Sequence, residues 1–145
     1  MTFDRGLDSA RLALKIGLGI AAFLAGLDKF FNILADWQGY LSPMMASHLP
    51  FSAATFMQVV GVIEMVVGLA ILTWWTEIAA YVAMAWLILI AVNLVTTGHF
   101  LDIAVRDIEM AIAAYALARL TEAHQASLVG AVPAPVAPRR AGSAA

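Results

Sequence analysis

FMQVVGVIEMVVGLAILTWW, residues 56–75, carries a single ionisable side chain, Glu64. A helix needs about 20 largely apolar residues to cross a bilayer, so this stretch reads as one membrane span. Its apolar residues run continuously instead of alternating, which favours a helix over a barrel strand. A helix buried in a soluble bundle would keep one polar face, and this segment has none.

Three further segments have the same character. They are 12–34 (LALKIGLGIAAFLAGLDKFFNIL), 78–98 (IAAYVAMAWLILIAVNLVTTG) and 102–121 (DIAVRDIEMAIAAYALARLT). The composition agrees: 63% of residues are hydrophobic and 12% charged, with a mean hydropathy of +0.88, whereas a soluble domain is about half apolar and about a quarter charged. The predicted fold is therefore all-α, a four-helix transmembrane bundle with an extended outer loop between helices one and two. Residues 1–11 form an N-terminal segment, 12–121 the membrane domain, and 122–145 a Pro/Ala-rich flexible tail. The mixed charges of Asp4, Arg5, Asp8 and Arg11 do not match a cleavable signal peptide.

Four spans place both ends of the bundle on one side. Arg5, Arg11, Lys15, Arg119, Arg139 and Arg140 fall there, leaving Lys29 and Arg106 for the other. The positive-inside rule then makes both termini cytoplasmic, and the loop at 35–55, with Trp37, Tyr40, Met44, Met45 and Phe51, faces outward as a partly helical cap. The expected setting is a cytoplasmic membrane, with lipids as the first partners. No basic tract points to nucleic acid.

Depth brings the polar residues together. At about 1.5 Å rise per residue, Arg106, Asp107 and Glu109 lie roughly 6–11 Å below the outer end of span four. On the same scale Glu64 lies roughly 12 Å, Asn93 roughly 8–10 Å, and Asp28 and Lys29 roughly 8–9 Å below the outer ends of their spans. These seven residues form one candidate polar layer. Gly61, Glu64 and Gly68 share a helix face, as do Ala104, Asp107, Ala111, Ala114 and Ala118. Small residues at such spacing mark helix contact in lipid, so Glu64 and Asp107 are expected to point inward. Span one offers Gly17, Ala21 and Ala25 as its stripe, beside Ala22 and Gly26. Asp102 precedes Arg106 by four residues, the favoured order for an ion pair.

The layer holds more carboxylates than cations. An ionised group at depth costs roughly 2.5–3.5 kcal/mol, so Glu64 is expected to be protonated or bonded to a partner such as Asn93. Such a layer locks the helices together, holds a small polar or quinone-like ligand, or lines a conduction path. Trp86 shares a face with Asn93, and packing is its expected role. His48 and His99 lack metal-ligand spacing, and no metal site is expected. With no cysteine, thiol relays and Cys-bound clusters are ruled out.

AGLDKFFNILADWQGYL (25–41), GVIEMVVGLAIL (61–72) and NLVTTGHFLDIAVRDIEMAIAAYALARL (93–120) together resemble the DoxX family of small four-helix integral membrane proteins. The resemblance covers about residues 10–121 and points at Lys29, Glu64, Arg106 and Asp107. It implies a subunit of a membrane-bound redox or electron-transfer complex, with quinone as the candidate ligand and no cofactor of the chain's own. Without an electron carrier, such a subunit needs a catalytic partner. The alternative is a non-catalytic accessory subunit that stabilises a larger membrane complex. A small transporter ranks behind both, because one protomer encloses little lumen and no inverted repeat is evident.

Overall fold

The computed structural model describes residues 4–130, which form five α-helices and one 3₁₀ turn: α1 (Arg5–Asp28), the 3₁₀ turn (Trp37–Tyr40), α2 (Pro43–His48), α3 (Ala53–Leu72), α4 (Thr76–Thr96) and α5 (Leu101–Gly130). The described residues contain no strand. Helices α1, α3 and α4 are each long and apolar enough to cross a membrane. The fourth predicted span lies within α5, whose charged residues keep it out of that group.

Two boundaries differ from the expectation. α1 ends at Asp28 instead of continuing to Leu34, although Phe30, Phe31, Ile33 and Leu34 are all apolar. The Asp28 carboxylate is the cause. It accepts the backbone N–H groups of Ile33 (3.0 Å) and Leu34 (2.9 Å), which a continuing helix would need for its own ladder. The turn passes through Asn32 at φ 52°, a left-handed position that asparagine tolerates better than most residues. At the other end, α5 continues through Gly130, past the expected start of the tail at 122. Residues 131–145 of that tail lie outside the described residues.

Side chains cap three of the helix starts. Asp4 caps α1 by accepting Gly6 N–H, Ser42 caps α2 with Pro43 behind it, and Ser52 caps α3. The α4–α5 turn uses Gly98 at φ +70°, where a glycine carries no steric penalty.

Packing divides the helices into two close pairs, α1 with α3 and α4 with α5, joined by lighter α1–α5 and α3–α4 contacts. Glycines build the first pair. A Cβ on Gly26 would stand 2.5 Å from the Gly61 carbonyl oxygen, and one on Gly68 would stand 2.7 Å from that of Gly19. Alanines build the second: Ala79, Ala80 and Ala83 of α4 face Ala114 and Ala118 of α5, and Ala91 meets Ala104. Both pairs allow the close backbone approach that replaces the hydrophobic drive in lipid. Long apolar side chains such as Ile16, Leu24, Val66, Leu89 and Ile112 remain exposed around the outside.

Asn93 pins the α1–α3 connection to α4. Its side chain donates to the Tyr40 carbonyl (2.7 Å) and accepts from Ser42 N–H (3.1 Å), while Tyr40 meets Phe100 edge-on at 4.8 Å. Asn93→Ala is expected to strand the buried Ser42 amide at a cost of about 1–3 kcal/mol. Hydrogen exchange checks this. Residues 36–48 lose protection while α3 and α4 keep theirs, and unchanged exchange would show that the clamp is idle.

Candidate functional site

The glycine contact between α1 and α3 determines where the charges meet. Gly61 lies one turn from Glu64, and a Cβ on Gly61 would press on both the Gly26 oxygen (2.5 Å) and Lys29 Cβ (3.1 Å). With the backbones this close, the last turn of α1 delivers Lys29 to the middle of α3. Its ammonium donates to Glu64 Oε2 at 2.5 Å, and both side chains are almost wholly shielded, at 5% and 10% exposed. The same nitrogen lies 3.5 Å from the Ala25 carbonyl and 3.8 Å from the centre of the Trp37 ring, a cation–π contact.

Asp28 organises the other half of the site. Besides ending α1, it accepts the Trp37 indole N–H at 2.8 Å, which holds the ring over the Lys29 ammonium. From α4, Trp86 Nε1 approaches Glu64 Oε1 at 3.5 Å, the weak limit of a hydrogen bond. From α5, Asp107 completes the cluster. It lies within electrostatic reach of Glu64 and Lys29, and its Oδ2 is buried without a hydrogen-bond partner.

Of the seven residues assigned to one layer, the structure gathers four: Asp28, Lys29, Glu64 and Asp107. Asn93 is occupied with the connection and does not bond Glu64; Lys29 takes that place. Arg106 and Glu109 point outward from α5 and are exposed. The expected Asp102–Arg106 pair does not form, and among the described residues neither side chain has an ion-pair partner. Their exposure has a rotational cause. α5 turns its alanine face to α4, which sets Asp102, Arg106 and Glu109 on the opposite side.

Span one's expected small stripe is also displaced. A Cβ added to Gly17 would meet nothing within 4 Å, whereas Gly19 and Gly26 carry the contact with α3. Trp37 is a site residue that sequence reasoning does not find. It lies in an irregular connection, where no periodicity indicates which side chain folds inward.

The opposite end holds a second, wetter set of polar contacts. Tyr81 donates to Glu122 at 2.6 Å, Arg119 also pairs with Glu122, and Lys15 donates to the Thr73 carbonyl at 2.7 Å. Among the described residues no group of three or more His, Cys, Asp or Glu side chains is placed to hold a metal ion.

Chemically, the cluster is a charge lock. Glu64, the Ala25 carbonyl and the Trp37 ring surround the Lys29 ammonium, so a ligand would have to displace one of them. Two hollows lie elsewhere. One is an apolar groove between α4 and α5 lined by Met84, Ile88, Ile108, Ala111, Ile112 and Tyr115. The other lies beside Trp74 and Trp75. Among the described residues, the spare acceptor at the lock is Asp107 Oδ2. No protein-family model, curated protein or solved structure matches the chain.

Proposed function

We propose that this chain is a DoxX-like four-helix transmembrane bundle of the bacterial inner membrane and acts as an integral, non-catalytic subunit of a larger membrane assembly. Redox and electron-transfer complexes are the class to which the family resemblance points. The end carrying Arg5, Arg11, Lys15 and Arg119 faces the cytoplasm, and the capped connection between α1 and α3 faces outward. The observation that carries this reading is the enclosure of the Lys29 ammonium by Glu64, Ala25 and Trp37. A cation held on three sides by its own chain fastens helices instead of waiting for a substrate.

A second reading is supported by Asp107. Its unpartnered oxygen near Glu64 is a site at which a quinone head group could bond or exchange a proton, with the apolar helix surfaces holding the isoprenoid tail.

Native mass spectrometry after extraction in mild detergent tests both, reading proteins and small hydrophobic ligands together. Under the subunit reading, other membrane proteins co-purify, and Glu64→Gln weakens that assembly without changing turnover of complexes already formed. A bound quinone that is lost in Asp107→Asn would replace the subunit reading with the ligand-binding one. A chain that extracts alone and empty would contradict both.

A further inference from the structure

We infer that the outward face of α5 is the interface with a second copy of this chain, joined by reciprocal Arg106–Glu109 ion pairs. α5 packs along the span-forming α4, with Ala104 set against Ala91 and Leu94. Arg106 and Glu109 therefore lie beside an apolar span, below the α4–α5 turn. Both are exposed, and their neighbours on this face, Val105 and Ile112, are 59% and 63% exposed. Among the described residues, neither charge has an ion-pair partner.

Arg106 is close enough to the helix start to extend toward the headgroups, as long basic side chains do. Glu109 is one turn deeper and shorter, so lipid gives it no partner. Charge complementarity identifies the occupant. One stripe carries both signs, three residues apart, which is about 4.5 Å along the axis. Copies inserted in the same sense are related by a two-fold axis along the membrane normal, and such an interface is isologous. Arg106 of each copy then meets Glu109 of the other at nearly one depth, and the reach of the arginine spans the offset. Val105 and Ile112 close around the pairs. Asp102, near the helix start, stays wet. The same pairing accounts for a helix too charged to count as an apolar span lying along α4: protein covers its charged face.

This inference rests on the membrane-spanning reading but not on the redox one. The chain has no cysteine, so single cysteines can be introduced without background. Ile112→Cys, oxidised in native membranes, is expected to give a disulfide-linked band at twice the chain mass, since a two-fold axis along α5 brings the two positions together. Leu24→Cys, exposed on α1, is expected to give none. Adding Arg106→Glu lowers the Ile112→Cys product about tenfold. Adding Glu109→Arg to that variant exchanges the charges and restores the product.

Equal cross-linking at both positions, no response to Arg106→Glu, or no restoration by the exchange would each overturn the interface. So would a cross-link to a different protein. An alkaline wash of the same membranes separates the two levels of failure: release of the chain would overturn the membrane reading itself, and retention without the dimer band would overturn only the interface. If Arg106→Glu fails to accumulate, the charge-exchanged variant still decides, because an interface of this kind must cross-link in it.

Discussion

Lys29→Met is expected to destabilise the protein by about 3–5 kcal/mol, the range for a buried pair that loses one partner. Methionine keeps most of the packing volume of the lysine stem, so the loss is electrostatic. Glu64 would remain on α3 with 10% of its side chain exposed, no cation against it, and only the long Trp86 contact at 3.5 Å. The Trp37 ring would lose the ammonium it covers, although Asp28 would still hold its indole N–H. Replacing both charges, as Lys29→Met with Glu64→Leu, is expected to recover most of the loss, because two apolar side chains need no partners. Unfolding by SDS titration from mild detergent micelles measures both variants. If the single substitution costs less than the double, or if neither moves the midpoint, the pair does not fasten α1 to α3.

A larger effect is expected one turn away, at Gly26. Its added Cβ would stand 2.5 Å from the Gly61 carbonyl oxygen and 2.8 Å from the Met65 nitrogen. Both are backbone atoms of a regular helix and cannot swing aside. Gly26→Val must therefore push α1 and α3 apart, and the displacement also draws Lys29 away from Glu64. Overpacking costs about 1–3 kcal/mol, and the broken ion pair adds to it. The expected outcome is loss of folded protein from the membrane. Gly17→Ala is the matched control. It lies on the same helix with open space around it, and it is expected to leave both yield and melting temperature unchanged. Equal tolerance at the two positions would mean that the helices do not meet through their glycines.

These two residues also show where the sequence is legible and where it is not. The helical, membrane-like character follows from long apolar runs, because bilayer thickness leaves little choice of structure. The inward face of α3 is legible for a related reason: Gly61, Glu64 and Gly68 put the one charge of the segment on the small-residue side. On α1 the same reasoning favours Gly17, Ala21 and Ala25, with Ala22 and Gly26 beside them, and passes over Gly19. Small residues occur on two of its faces, and only the partner helix decides between them. The end of α1 is hidden because FFNIL is as apolar as what precedes it. What stops the helix is a carboxylate folding forward onto Ile33 and Leu34, a contact with no periodic signature. Spacing likewise favours an Asp102–Arg106 pair, but spacing says only that two side chains share a face, not that they bond.

The lock joins residues 35 apart in the chain, and this separation has a consequence for how the protein is made. At about 5–20 residues per second, Lys29 leaves the ribosome roughly 2–7 s before Glu64. During that interval α1 has no anion on α3 to receive its ammonium. Its position just after the last residue of α1 lets the side chain wait among headgroups, with Trp37 arriving only a few residues later. Glu64 has no such refuge in the middle of its helix, and a cation already in place lowers the cost of its entry as an anion. The order of the two charges along the chain thus makes the first helix the receptor for the third during synthesis.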